Sequence, residues 1–534
     1  MRTRGSDELC GLPARLIRAG AAAIIALVAA GCASESLSLA PASPQTPYVP
    51  ETTQAAAPAG EEEGRPDFGL PPDPTLPIAI PRPEIDASRT LGLPDLIDIA
   101  QSTNPATSAA WERARQAALA VGMAKAAYLP VITAGVLAGY QRSSEANPSI
   151  DLSASGPPGF DVSLGGSQFL PQTFSTTARE IVPAATMNWL LLDFGGRAAS
   201  VAAAHELSNA ANIGFTAAHQ KLIYDVASAF YQVTASRAQV AIARDTVVNA
   251  RFIFDAARAR RARGISTEIE VAQARQQAAQ AQLELVESEG FASDAYHSLL
   301  RAMGVSPTLA LKIEDVSGRP LPRAISTDVD RLIAEALRRR PDVQAAFARM
   351  KADQHNVERA QSDFLPRVGL TGSANQDIGV VDVNDSLLGL DTRSRVNAPN
   401  ANLMVGLTVP IFDGGTRDAQ LKSAQAQADA AAQEFAQIQT DGARQIVVAY
   451  DTLRTSLAAY AAATELTQAA TITAKAQRDY YQQGLGTLTD AVAAQTALLQ
   501  ARLARAKAHS DALVAAATIA FATGSLTSGD TLGR

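Results

Sequence analysis

Two nine-residue stretches, "WLLLDFGGR" at 189–197 and "VPIFDGGTR" at 409–417, are near copies of each other. The offset between them, 220 positions, holds downstream. "VASAFY" (226–231) faces "IVVAYD" (446–451), and "RARGISTEIEVAQAR" (261–275) faces "YQQGLGTLTDAVAAQ" (481–495). Upstream the offset is 236: "LIDIAQSTNP" (96–105) faces "LIAEALRRRP" (332–341), and "AAYLP" (126–130) faces "SDFLP" (362–366). A constant offset over so long a stretch marks a duplicated unit. The 16-residue change falls between Pro130 and Asp193, where the first copy is longer.

Each copy has the same parts in the same order. A helical stretch reaches Leu-Pro. Two alternating stretches follow, separated by a loop rich in Gly, Ser, Asp or Asn. An Asp–glycine element then leads into a very long helical run, a Gly-centred turn and another long helix. The first structural repeat therefore spans 89–310, with strands about 130–142 and 181–193 and a helical hairpin at 197–303. A linker covers 311–325. The second repeat spans 326–523, with strands about 366–376 and 401–412 and a hairpin at 417–523, and 524–534 form a tail.

The alternation is that of strands with one apolar and one polar face. Ile132, Ala134, Val136, Ala138 and Tyr140 oppose Thr133, Gly135, Gly139 and Gln141, with Leu137 out of pattern; Met187, Trp189 and Leu191 oppose Thr186 and Asn188. In the second copy Val368, Leu370 and Ala374 oppose Thr371, Ser373 and Asn375, and Leu403, Val405, Leu407, Val409 and Ile411 oppose Asn402, Gly406 and Thr408. Runs of about ten residues suit tilted strands crossing a bilayer; a half-buried sheet in a soluble protein shows the same alternation. Two details favour the membrane. Tyr128, Trp189, Phe194, Phe364 and Phe412 fall at one end of the four strands, where an interfacial girdle lies, and the long loops 142–180 and 376–398 fall at the other. Four strands cannot enclose a passage, and open edges are prohibitively costly in lipid. Transmembrane strands must therefore be completed by other chains, and three protomers would supply twelve, an even number.

Arg197–Ala262 and Arg417–Gln482 contain no proline. At ~1.5 Å per residue each is roughly 100 Å of helix, a length that must pair as a coiled coil. Ile223, Val226, Phe230, Val233 and Val240 recur at spacings of three, four and seven, and Gly264 and Gly484 reverse the chain. At the strand-to-helix junctions, Asp193 and Asp413 sit where free helix N–H groups need an acceptor, and Gly195, Gly414 and Gly415 allow the sharp backbone change.

The N-terminus reads as a targeting segment. Arg2, Arg4, Arg15 and Arg18 precede "AGAAAIIALVAA", which ends at Gly31-Cys32. Residues 1–31 form a signal peptide, and Cys32 follows small residues as a lipid-bearing cysteine does. The 32–88 segment, rich in Pro and Ala, is a lipidated linker. The other cysteine, Cys10, lies in the segment to be removed, which leaves the remaining chain no disulfide partner. Net charge is −7 with no basic block, which argues against nucleic acid.

The duplication, the "NP"/"RP" and "YLP"/"FLP" elements, the "LDFGGR"/"FDGGTR" junctions and the Gly-centred tips together resemble the TolC-like outer-membrane efflux family, and the lipobox resembles its lipoprotein branch. The resemblance covers roughly residues 90–523. It implies a mainly α fold with membrane β: long antiparallel coiled-coil helices forming a trimeric α-barrel, plus four strands per protomer completing a twelve-stranded outer-membrane barrel. It also implies a lipid-anchored protein of the outer membrane with a helical tunnel into the periplasm. A periplasmic adaptor (membrane fusion) protein and an inner-membrane pump are the implied partners. Carried over residue by residue, the periplasmic aperture falls on Glu270, Tyr481 and Asp490, with Tyr481 as the partner of Glu270. Gly486 and Ala493 stand where relatives carry an Arg and a second acid. The tips Arg263, Gly264, Ser266, Gly484, Leu485 and Thr487 would meet the adaptor.

No cofactor, metal site or catalytic residue is expected. His205, His219, His297, His355 and His509 are scattered, and no HExxH, GxSxG or glycine-rich phosphate loop appears. The expected function is passive conduction of small molecules through an exit duct. A channel for type I protein secretion and a poreless periplasmic coiled-coil scaffold remain as alternatives.

Overall fold

Leu-Pro turns helix into strand in both repeats. Leu129-Pro130 and Leu365-Pro366 end helical segments, and strands begin at Val131 and Arg367. Proline lacks the N–H that would continue a helix, and its ring pushes the preceding residue towards extended backbone. The computed structural model describes residues 89–146, 173–322, 325, 328–385 and 390–526, with scattered positions between 40 and 85. The signal segment, Cys32 and residues 147–172 lie outside the described residues.

The chain divides into two compact units, Met1–Ile80 and Pro81–Arg534. In the first, the Asp73 carboxylate accepts the Thr75 N–H at 2.8 Å and its hydroxyl at 2.7 Å, an Asx-type turn. The second holds all the elements that follow. In the first repeat these are β1 (Thr90–Leu91), α1 (Leu93–Thr103), α2 (Pro105–Ala126), β2 (Val131–Ala146), β3 (Thr173–Leu192), α3 (Gly196–Ala262) and α4 (Glu268–Met303). After β4 (Lys312–Ile313) the second repeat supplies α5 (Val329–Arg339), α6 (Pro341–Ser362), β5 (Arg367–Asp385), β6 (Leu390–Thr408), α7 (Thr416–Gln483) and α8 (Leu488–Ala522).

The four long strands form one antiparallel sheet in the order β2-β3-β5-β6. Register carries the alternation across it: Ile132 faces Met187, Met187 faces Gly372, and Gly372 faces Leu403, while Thr133, Thr186, Ser373 and Asn402 line up on the other face. Two expectations change. The strands run 16 to 20 residues, not about ten. Of the segment 376–398, read as a loop, residues 376–385 and 390–398 are instead paired strand, and 142–146 and 173–180 likewise belong to strands. Alternation fades there because Asn375, Gln376 and Asp377 are all polar, yet backbone pairing continues. A bulge between Leu190 and Leu192 sets Leu192 against Val368, so Leu192 rather than Leu191 takes the apolar register.

The helices explain the rest of the sequence. α3 and α7 have 67 and 68 residues. α4 returns along α3, α8 returns along α7, and α3 packs on α8, so the two hairpins lie side by side. The short helices α2 and α6 pack on the strand-proximal parts of the long ones. The main core sits at mid-helix. Leu222, Ile223, Val226, Phe230 and Val233 of α3 pack with Leu96 and Ile97 of α1, Leu299, Leu300 and Met303 of α4, and Leu513 of α8. β1 and β4 pair in parallel beside this cluster, with Leu91 and Ile313 buried in it, so the 311–325 linker is partly a strand.

Candidate functional site

At the strand-distal ends, each hairpin turns on a left-handed glycine: Gly264 at φ +76° and Gly484 at φ +80°. Such a φ clashes for residues with a Cβ. The return helices start alike. Thr267 caps α4 by accepting the Glu270 N–H at 3.2 Å, and Thr487 caps α8 by accepting the Asp490 N–H at 3.2 Å. Each carboxylate lies at the third helical position, where the exposed N–H groups favour negative charge. Glu270 accepts the Ser266 hydroxyl at 2.6 Å, and Asp490 accepts the Thr487 hydroxyl at 2.6 Å. Arg263 and Leu485 are exposed, and Leu485 and Ile265 project apolar surface from the two tips.

Tyr481 is buried, 1% exposed, in a cluster with Ile253 and Ala257 of α3, Ala274 of α4, and Leu488 and Ala491 of α8. Its hydroxyl has no hydrogen-bond partner. The expected Glu270–Tyr481 bond is therefore not made within the protomer, because Glu270 is engaged by Ser266. Near the tips Arg260 links the two hairpins, as Arg478 does further along by donating to Asn249 at 3.4 Å. The Arg260 guanidinium donates to the Tyr481 carbonyl at 2.6 Å and lies 4.8 Å from the centre of the Tyr481 ring. Burial pushes the Tyr481 phenol up; the Arg260 charge opposes this and the Glu270 charge adds to it. Gly486 donates its N–H to the Tyr480 carbonyl at 3.2 Å.

The strand–helix junctions are a second constellation. Asp193 accepts the Arg197 N–H at 2.6 Å and faces its guanidinium at 3.4 Å. That guanidinium also donates to the Leu190 and Leu191 carbonyls and lies 4.5 Å over Tyr128. In the second copy Asp413 accepts the Gly415 N–H at 3.1 Å, the Arg417 N–H at 3.0 Å and Arg417 Nε at 2.7 Å. Arg417 donates to the Pro410 carbonyl at 3.0 Å and lies 5.5 Å over Phe364. The hydrogen bond from Arg417 holds the Asp413 carboxyl below the ordinary aspartate value. Gly195 (φ +109°) and Gly415 (φ +88°) are the left-handed N-caps. Reading the junction as aspartate and glycine missed the arginines, although D-x-x-x-R stands in both copies. Trp189 completes the girdle end by donating its indole N–H to the Tyr128 carbonyl at 2.8 Å.

Comparison with known proteins bears on this geometry. The family model described as outer membrane efflux protein matches residues 96–305 and 332–525, one segment in each repeat. Protein CyaE of Bordetella pertussis is 27% identical over 427 residues, 79% of this chain and 81% of that protein. The outer membrane efflux protein BepC of Brucella suis is 26% identical over 414 residues, 77% and 80% of the two chains. Among solved structures, the outer-membrane channel OprN superposes with a TM-score of 0.64 at 21% identity, covering 85% of this chain and 98% of that one. The mainly helical fold with a four-stranded sheet is that of these channels, and the chain belongs to the outer membrane efflux protein family.

Proposed function

We propose that this outer-membrane efflux protein works as a homotrimer, the exit duct of a tripartite system. The observation that carries the reading is the sheet. Its edge strands β2 and β6 have no further partner among the described residues, while its apolar face is exposed, with Ile132, Val136, Leu403, Val405 and Leu407 each above 60%. In lipid such edges must be paired. Three copies give twelve strands, and their six hairpins give a twelve-helix tunnel on the periplasmic side. Cys32 carries the lipid anchor. A periplasmic adaptor meets Arg263, Gly264, Ser266, Gly484, Leu485 and Thr487, and an inner-membrane pump supplies the energy. The duct passes small molecules and catalyses no reaction. A poreless periplasmic scaffold does not account for an apolar sheet at this position.

At the aperture, three copies of Asp490 form a ring of like charges that attracts cations and repels anions. The test is planar-bilayer recording of the purified protein. Asp490→Ala is expected to lower cation selectivity, and Arg260→Gln to raise conductance by releasing one hairpin from the other. A wild-type protein that forms no channel overturns the duct. Unchanged selectivity in the Asp490 variant removes that carboxylate from the aperture and leaves it as a helix cap.

A further inference from the structure

The four strands sort their charges by face. Register and parity put Arg142, Arg179, Arg393 and Arg395 on the face that carries Ile132, Trp189, Leu370 and Val405, together with Asp382 and Asp391. On the opposite face, at similar distance along the strands, stand Glu180 and Asp377, with Asp377 accepting from Asn375 at 3.0 Å and Asn400 at 3.2 Å. In a barrel, the apolar face meets lipid and the polar face lines the lumen. The arginines therefore point outward into the bilayer boundary with Asp382 and Asp391 among them, and Glu180 and Asp377 point inward.

Their height is set by the strands. On β2 the apolar face runs from Ile132 to Tyr140, roughly 20 Å along the membrane normal for a tilted strand, and Arg142 is the next residue on that face. Tyr140 pairs with Arg179, Arg179 with Val380 and Val380 with Arg395, so the arginines begin where the apolar band ends. This end is remote from the helices and so faces the cell exterior.

Asp382 is bidentate to Arg393, at 2.7 and 3.2 Å. Arg142, Arg179 and Arg395 are exposed and make no hydrogen bond or close ion pair among the described residues, Arg179 interacting with the Asp382 charge at longer range. Within one protomer Arg142 and Arg179 stand on the adjacent strands β2 and β3, two residues apart in register. Like charges on neighbouring strands are unfavourable unless an anion stands between them, and guanidinium groups match phosphate oxygens bidentately.

We propose that Arg142, Arg179 and Arg395 form an outward-facing site for the phosphate groups of an anionic lipid headgroup in the outer leaflet. The site rests on the trimeric barrel reading. It would fix the depth of the barrel.

The test uses the purified full-length trimer in detergent, with native mass spectrometry after addition of bisphosphorylated lipid A or a neutral phosphatidylcholine. Wild type should retain lipid A preferentially. The triple variant Arg142→Gln/Arg179→Gln/Arg395→Gln should lose about a hundredfold of that retention, and the triple Lys variant should keep most of it. Equal retention by wild type and the Gln variant overturns the site, as does full displacement of lipid A by millimolar inorganic phosphate, which would make the ligand a free anion. Heat-modifiable migration is recorded on every sample. If wild type lacks it, the barrel fails and the site with it; if it is present in all samples while lipid preference is unchanged, the lipid site alone fails.

Discussion

Asn104 and Arg340 occupy equivalent positions in the two repeats and do the same job with different chemistry. The Asn104 amide donates to the Ala302 carbonyl at 3.0 Å, and the Arg340 guanidinium donates to the Ala522 carbonyl at 3.0 Å. Ala302 and Ala522 are themselves equivalent, each ending a return helix. Beyond them Gly304 and Gly524 both take left-handed φ, +73° and +67°. A Cβ on Gly304 would stand 3.0 Å from the Asn104 Cα, and one on Gly524 would stand 2.8 Å from the Arg339 carbonyl oxygen. What the two repeats share is the position of a backbone carbonyl and the need for a donor. The side chain that supplies the donor is free to differ.

The difference lies in what else each donor holds. Asn104 also caps α2, accepting the Ala106 N–H at 2.8 Å. Arg340, 6% exposed, also binds Asp342 and, at 2.7 Å, Gln445. Arg340→Ala should therefore be the more damaging change, costing about 2–3 kcal/mol by stranding the buried Ala522 carbonyl and losing the bonds to Asp342 and Gln445. Asn104→Ala should cost about 1–2 kcal/mol, a cap and one bond. Thermal or urea unfolding of the two variants in the same detergent decides. Equal losses would mean that only the shared carbonyl contact matters.

The junctions sharpen the comparison at a lower energy. The Asp193 and Arg197 side chains are 12% and 10% exposed, whereas Asp413 is 32% exposed. Asp193→Asn should cost about 2 kcal/mol because it leaves a buried guanidinium without its counter-charge. Asp413→Asn should cost less, because solvent screens the more exposed pair. The same unfolding measurement, run on both, would refute this ranking if the second variant were the weaker protein.

Acid offers an independent handle on the second junction. The folded Asp413 carboxyl is depressed, so its contribution is complete above the unfolded aspartate value and fades as pH falls through the folded one. The stability gap between wild type and Asp413→Asn should hold from pH 7 down to about 4 and shrink below that. A gap that persists under strong acid would assign it to geometry rather than charge.

Much of this was legible in the sequence, for reasons that the same residues make clear. Period-two alternation from Ile132 to Tyr140 and the two fixed offsets follow directly from pleat and duplication, and they require neither distance nor side-chain contact. The far halves of the strands were not legible, because Asn375, Gln376 and Asp377 present polar groups to both faces. The Leu190–Leu192 bulge leaves no mark in composition. Arg260 was hidden because its target is the Tyr481 carbonyl, and a main-chain acceptor has no letter in the sequence. Asn104 and Arg340 stood in view as "NP" and "RP", but two unlike side chains do not announce one shared role.

The smallest expected effect concerns Phe194 and Gly414, the first left-handed residue of each junction, at φ +52° and +69°. Glycine takes this backbone freely; phenylalanine in it costs about 1–2 kcal/mol. Phe194→Gly relieves that strain but frees the unfolded chain by about 0.5–1 kcal/mol, so the net change in unfolding free energy should be close to zero. Gly414→Phe runs the exchange the other way on the same two terms, so its net cost should likewise stay below about 1 kcal/mol. Phe194 is 52% exposed at the girdle end of the sheet, which suggests why an unfavourable residue stands there. An aromatic ring at the bilayer boundary contributes only where there is a bilayer. Phe194→Gly should therefore be near neutral in detergent and measurably destabilising after reconstitution into liposomes, while Gly414→Phe should be less harmful in liposomes than in detergent. Identical losses in both media would remove the interfacial role and leave Phe194 as uncompensated strain in the first junction.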